Sequence, residues 1–182
     1  MKLLLTGGHA GSTAYAFVRH LKMKHLRTKY QWPITFIGAE SAVEGKTVAT
    51  LESIVLPKLG VVYVPLRAGR LQMRLTYWGL VSLLKVPVGI FQAFFKVRKI
   101  SPDVILSFGG FVGFPVVLAG YLLKIPVIAH EQTAVIGRAN LWSLPFIKAL
   151  AISRDSSRKY IPRYFDKKKI IVTGNPINSN LL

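Results

Sequence analysis

The chain alternates short, β-branched apolar runs with stretches of helical length. That alternation confines it to the α/β class. Leu3 to Thr6, Ile34 to Ile37, Val61 to Val64, Val104 to Ser107, Pro126 to Ala129, Ala149 to Ser153 and Ile170 to Thr173 read as strands. Helices are expected over Ala14 to Leu26, Val112 to Leu123 and Arg138 to Leu144, with a long amphipathic region over Arg70 to Arg98 interrupted near Pro87. Runs such as VILS and PVIA are apolar at successive positions, so both faces of those strands are covered. A doubly wound, Rossmann-like parallel sheet follows. The chain has 182 residues, enough for one domain with a sizeable core. Gly174-Asn175-Pro176 near its end suits an interdomain hinge.

One segment imitates a transmembrane helix. Val104 to Leu123 runs without a charge at a length that spans a bilayer. It holds Gly109, Gly110, Gly113 and Pro115 in its middle, and these divide it into strand, glycine turn and helix. The N-terminal MKLLLTGG is too short for a signal-peptide core and reads as a first buried strand. There is no cysteine, so disulfides, thiolate metal sites and Cys nucleophiles are excluded.

Charge is the strongest global feature. Lys and Arg total 25 against 7 Asp and Glu, a net +18. A polyanionic partner is implied: nucleic acid, an anionic membrane face or a phosphorylated substrate. Nucleic acid is disfavoured, because there is no helix-turn-helix, RNP or zinc signature and the aromatics cluster with Leu and Val. The region around Met73, Leu75, Tyr77, Trp78, Leu80, Leu84 and Lys85 instead mixes aromatic and aliphatic residues with basic punctuation, the composition of an interfacial helix. Ordinary core packing is the alternative for part of it. Phe91 and either Phe94 or Phe95 fit a sheet-facing stripe.

In a doubly wound sheet, ligands collect at the carboxyl ends of the strands. Three polar or glycine-rich segments fall there. The first is Thr6-Gly7-Gly8-His9-Ala10-Gly11-Ser12, where small residues let a ligand approach the backbone and a helix N-terminus favours phosphate. Its spacing is neither a dinucleotide fingerprint nor a Walker loop. The second is Ser107-Phe108-Gly109-Gly110-Phe111, built on the same logic. The two turns could hold a pyrophosphate or simply pack on each other. The third is His130-Glu131-Gln132, where a carboxylate can orient a sugar hydroxyl or hold a histidine tautomer. The alternative is a structural His130 and a Glu131 that caps the next turn.

These motifs, taken together, resemble the N-terminal domain of the MurG family of glycosyltransferases. The matching series is Ser101-Pro102-Asp103-Val104-Ile105-Leu106, Gly109-Gly110-Phe111-Val112, Ile125 to Gln132, and Gly174-Asn175-Pro176. The family pattern is KPDVVLG, GGYVSGP, GIPVVLHEQN and GNPVR, in that order and at similar separations. The resemblance implies the N-terminal half of a two-domain GT-B transferase. Residues 1–176 would then be the acceptor and membrane-associated domain, with 177–182 starting an interdomain linker and the C-terminal donor domain absent.

The implied reaction is GlcNAc transfer from UDP-GlcNAc to a polyprenyl-diphosphate-linked acceptor, lipid I of peptidoglycan synthesis, at the cytoplasmic face of the membrane. It needs no cofactor and no essential metal. UDP-GlcNAc would come through a C-terminal domain or a separate donor subunit, and the chain alone would be inactive. The resemblance implies His9 and Glu131 as catalytic groups. It implies substrate contacts from Gly7, Gly8, Gly11, Ser12, Gly109, Gly110, Phe111, His130, Gln132, Thr133, Asn175 and Asn178. The sequence departs from the pattern at four places. The first loop is shorter, so His9 and Ser12 compete for the loop-histidine position. Phe111 stands for tyrosine, Thr133 for asparagine and Asn178 for arginine. Two other readings remain: a basic, non-catalytic membrane adaptor, and the acceptor subunit of a split transferase for another polyprenyl-diphosphate sugar.

Overall fold

A computed structural model describes residues 1–8, 10–25, 32–43, 48–68 and 77–177, leaving out the side chains of 25 and 77–86. The elements follow one another as β1 (Leu3–Thr6), α1 (Gly11–His25), β2 (Ile34–Ala39), α2 (Leu51–Lys58), β3 (Val62–Leu66), α3 (Tyr77–Ile100), β4 (Val104–Ser107), α4 (Gly110–Leu122), β5 (Val127–Glu131), α5 (Arg138–Ser143), β6 (Ala149–Ile152) and β7 (Ile170–Val172), with short 3-10 turns after α5 and β6 and before β7. All strand pairs are parallel, in the order β3-β2-β1-β4-β5-β6-β7. The order reverses between β1 and β4, which puts the topological switch point between the first two glycine loops. The doubly wound sheet expected from the alternation is what forms.

Side-chain alternation sorts the strands onto two faces. Leu4, Ile105, Val127, Ala129, Leu150 and Ile152 pack under α3 and α4 in one core cluster. Leu3, Leu5, Ile34 and Phe36 pack under α1 and α2 in the other. The run Val104 to Leu123 divides as expected into β4, a glycine turn and α4. No described helix is long and apolar enough to cross a membrane.

Three expectations need correction. α2 was not anticipated, because its stretch carries Pro57 and buries only Glu52 and Leu56. Its legible signal is Thr50, whose hydroxyl accepts from Ser53 N at 3.1 Å as an N-cap. Next, α3 runs on without the interruption expected near Pro87, which lies inside it. Pro87 is on the exposed side, where loss of its N–H disturbs no packing, while Gly89, Ala93 and Val97 are buried one turn apart. These small residues bring α3 close to the chain. A Cβ on Gly89 would meet Ala68 Cα at 3.2 Å. Finally, Phe91 and Phe95 do not face the sheet: they are 66% and 50% exposed. Phe94 alone of the three packs against the core.

Candidate acceptor site at the carboxyl edge

The first two glycine loops touch directly. Gly8 N donates to Gly109 O at 3.0 Å. Gly110 sits at φ 80°, and a Cβ there would lie 2.6 Å from Gly8 O and 2.7 Å from Gly8 N. Gly109, at φ 79°, is the N-cap of α4. The Phe111 ring covers Gly8, with its Cδ1 3.0 Å from where a Gly8 side chain would begin. Only glycine satisfies both the left-handed backbone and this closeness. Gly7 is buried beside Ala10 and Phe108, and Gly11 beside Leu51, while Ser12 is exposed in the first turn of α1. His9, the expected catalytic histidine, lies outside the described residues, as does Asn178.

The third segment differs from the sequence reading. His130 and Glu131 are the last two residues of β5 rather than a loop after it. Strand alternation therefore sends them to opposite faces. The two form no acid–histidine pair. His130 is 4% exposed, with Nε2 3.1 Å from Gly174 O and its ring edge-on to Phe108. It lines an apolar cavity of about 590 Å³ between α1 and the strands, together with Phe17, Trp32, Leu106 and Ile128.

Glu131 points the other way and is also 4% exposed. Its Oε1 accepts from Thr133 N at 2.9 Å and lies 2.6 Å from Thr133 Oγ1. Its Oε2 accepts from Gly137 N at 2.8 Å and from Asn140 Nδ2 at 2.9 Å. A buried carboxylate with a donor on each oxygen organises its surroundings. Glu131 ties the 132–137 loop to the start of α5.

Asn140 extends this network to the glycine loops. It is buried, and a Cβ on Gly109 would lie 2.9 Å from its Oδ1. Sequence reasoning missed Asn140, because a single polar residue in a short helix carries no periodic signal. Gln132 O receives Asn175 Nδ2 at 3.0 Å, so the Gly174-Asn175-Pro176 turn is fastened to the same edge. Of the expected substrate residues, Gly7, Gly8, Gly109, Gly110, Phe111, Gln132, Thr133 and Asn175 thus belong to one connected set, while the His130 ring turns to the cavity on the other face of the sheet, which Asn175 also lines.

Among the described residues, two titratable groups depart clearly from their ordinary values, and neither belongs to this network. Burial pushes the Tyr63 phenol up, although its hydrogen bond with Thr50 works against this and nearby Glu52 adds to it. The Arg67 guanidinium is raised by its hydrogen bond and ion pair with Glu40, on an exposed surface. Among the described residues no three His, Asp or Glu side chains converge as a metal site.

Of the expected membrane residues, Met73 and Leu75 lie outside the described residues, and Tyr77, Trp78, Leu80, Leu84 and Lys85 are placed on α3 by their backbone only. The described half of α3 continues outward with an exposed stripe of Val88, Phe91 and Phe95, Arg98 and Lys99 following.

Comparison with known proteins agrees with this architecture. The glycosyltransferase family 28 N-terminal domain matches residues 3–152. A UDP-N-acetylglucosamine–N-acetylmuramyl-(pentapeptide) pyrophosphoryl-undecaprenol N-acetylglucosamine transferase of Legionella pneumophila (strain Lens) is 35% identical over 180 residues, covering 99% of this chain and 46% of that protein. A second transferase of the same name from Bacillus cereus is 32% identical over 181 residues, covering 100% of this chain and 47% of its own length. The chain therefore spans about half the length of the curated relatives it matches. Among solved structures, Acinetobacter baumannii MurG superposes with a TM-score of 0.67 at 20% identity, over 95% of this chain and 45% of that one. A UDP-GlcNAc 2-epimerase from Neisseria meningitidis gives 0.63 at 17% identity, over 96% of this chain and 46% of that one. At those identities the likeness concerns the fold alone. With the family match covering most of the sheet and all three edge loops, this chain belongs to glycosyltransferase family 28, as its N-terminal domain.

Proposed function

We propose that this chain is the acceptor-side half of a GlcNAc transferase acting on a polyprenyl-diphosphate-linked sugar, with lipid I the acceptor best matched by its relatives. The observation that carries the reading is the convergence of three loops, separated in sequence, on one sheet edge: Gly8 bonded to Gly109, and Asn140 spanning Gly109 and Glu131. The α1 and α4 N-termini meet there and supply N–H groups suited to a diphosphate. His9 adjoins Gly8 in sequence and is our candidate base for the attacking hydroxyl. Glu131 positions rather than abstracts, since both of its oxygens are engaged. UDP-GlcNAc is supplied by the half that the relatives have and this chain does not match.

Binding separates acceptor from donor. A short-chain prenyl diphosphate carrying N-acetylmuramic acid, titrated calorimetrically into the purified chain, is expected to bind, and UDP-GlcNAc is not. GlcNAc transfer is expected only when a donor-half polypeptide is added. Turnover by the chain alone refutes the division of labour, and no heat with the acceptor analogue refutes the acceptor reading.

The same proposal places α3 on an anionic bilayer at the cytoplasmic face. Val88, Phe91 and Phe95 offer an apolar strip, and each nearby Lys or Arg contributes about 1 kcal/mol at such a surface. Phe91→Glu with Phe95→Glu should weaken co-sedimentation with vesicles containing phosphatidylglycerol by at least about tenfold, while leaving the melting temperature within about 2 °C, because both side chains are exposed. Unchanged sedimentation would move the docking surface elsewhere.

A further inference from the structure

Asn140, the third residue of α5, is 4% exposed. Its Nδ2 donates to Glu131 Oε2 at 2.9 Å and to His130 O at 3.2 Å. Both partners are acceptors, so turning the amide over would set oxygen against oxygen twice. Chemistry thus fixes which way the amide is turned, and its flat face lies against Gly109, where a Cβ would meet Oδ1, Nδ2 and Cγ at 2.9, 3.0 and 3.1 Å; Oδ1 is buried and accepts no hydrogen bond from the described residues. Gly109 is itself fully committed: its N–H goes to Ser107 Oγ at 3.2 Å and its carbonyl receives Gly8 N. A continuous line of contact therefore runs from Glu131 through Asn140 to the second glycine loop and on to the first.

We propose that Asn140 is a positioning residue of the transfer site, a spacer of fixed orientation that sets both glycine loops against the loop after β5. This rests on the acceptor-site reading above. The position demands two donated hydrogens towards β5 and a flat, compact face towards Gly109. Aspartate has the shape without the hydrogens. Glutamine has the hydrogens but is one methylene too long. Alanine strips a donor from two buried acceptors.

The isosteric variant N140D gives a readout that simple misfolding would not. Its carboxyl would face Glu131 Oε2, and two carboxyls at that distance share one proton. The other charged or titratable groups on the surrounding elements are few. His130, adjacent on β5, points to the opposite face, while Arg138 on α5 is exposed and Arg154 follows β6. α4 carries only Tyr121, which is 52% exposed, and β6 carries none. His9 adjoins Gly8 in sequence. The shared proton is bound more tightly in the folded than in the unfolded chain, so N140D gains stability as pH falls.

The test compares parent and N140D at pH 8 and pH 5, by melting temperature and by affinity for the acceptor analogue, with binding measured below both melting points. The melting gap between parent and variant is expected to be wide at pH 8 and to narrow at pH 5. The affinity loss is expected to be at least about tenfold at pH 8, the order that small misplacements of a site produce, and to recover to within about threefold at pH 5. A melting gap equal at both pH values overturns the Glu131–Asn140 coupling. N140D that binds with parental affinity at pH 8 overturns the positioning role. A parent chain that binds no analogue at either pH overturns the acceptor reading first and this proposal with it, a pattern recognisable because the parent itself gives no heat.

Discussion

Gly110→Ala is expected to be the most damaging single methyl addition at the site. The residue holds φ 80°, and the new Cβ would lie 2.6 Å from Gly8 O, 2.7 Å from Gly8 N and 2.8 Å from Gly8 Cα. All three are backbone atoms, so no rotamer change relieves the clash. The left-handed backbone costs about 1–2 kcal/mol for an L-residue, and overpacking adds about 1–3 kcal/mol. For a domain of this size, that total lowers the melting temperature by roughly 5–15 °C. Gly137→Ala is the matched control. Its φ is −69°, and the nearest atom to its new Cβ is Glu131 Oε2 at 3.6 Å. Thermal melts should show the first variant strongly destabilised and the second close to parent. Equal melting temperatures would mean that the two glycine loops are not held in contact in solution, and the candidate site would lose its geometry.

Glu131→Ala should be comparably severe through the opposite physics, a deletion that strands donors. Thr133 N and Gly137 N lose their acceptor together, Asn140 Nδ2 keeps only His130 O, and Thr133 Oγ1 loses its closest carboxylate contact. A buried donor left without a partner costs about 1–3 kcal/mol, and water entering the vacated space offsets part of the sum. We expect about 3–5 kcal/mol, read from urea unfolding, in line with breaking one side of a buried charged network. Glu131→Gln tests the role more finely. Each carboxylate oxygen accepts from a backbone N–H, Thr133 on one side and Gly137 on the other. A glutamine NH2 must therefore face a donor whichever way it is turned, costing about 1–3 kcal/mol. If Gln were as stable as Glu, the carboxylate would not be organising this loop, and its free oxygen would again be a candidate for proton transfer.

The family and the fold were legible from residue order. Buried parallel strands have to be apolar at successive positions, and the uninterrupted runs VILS and PVIA carry that requirement openly. Left-handed turns require glycine, so Gly109 and Gly110 announced their loop. α2 was hidden because its burial is only two residues deep and its interior holds a proline, leaving one capping threonine as its signal. The continuity of α3 through Pro87 was equally hidden, since only packing decides whether a proline falls on a side that can lose a hydrogen bond.

By itself the sequence determined which segments become strands, where glycine is obligatory, and that a strongly cationic chain of this pattern resembles a sugar-transferase half. Tertiary structure decided the directions. Extending β5 by two residues turned His130 and Glu131, neighbours in sequence, to opposite faces, because successive side chains of a strand cannot share one. It gave Glu131 its donors from residues two, six and nine positions further on, and brought Asn140 against Gly109 across 31 positions of chain. It also turned Phe91 and Phe95 outward, since the smaller Gly89, Ala93 and Val97 already filled the contact with the core. Hydrophobicity says that a side chain seeks cover, but which cover it finds depends on the shapes that arrive from elsewhere in the chain.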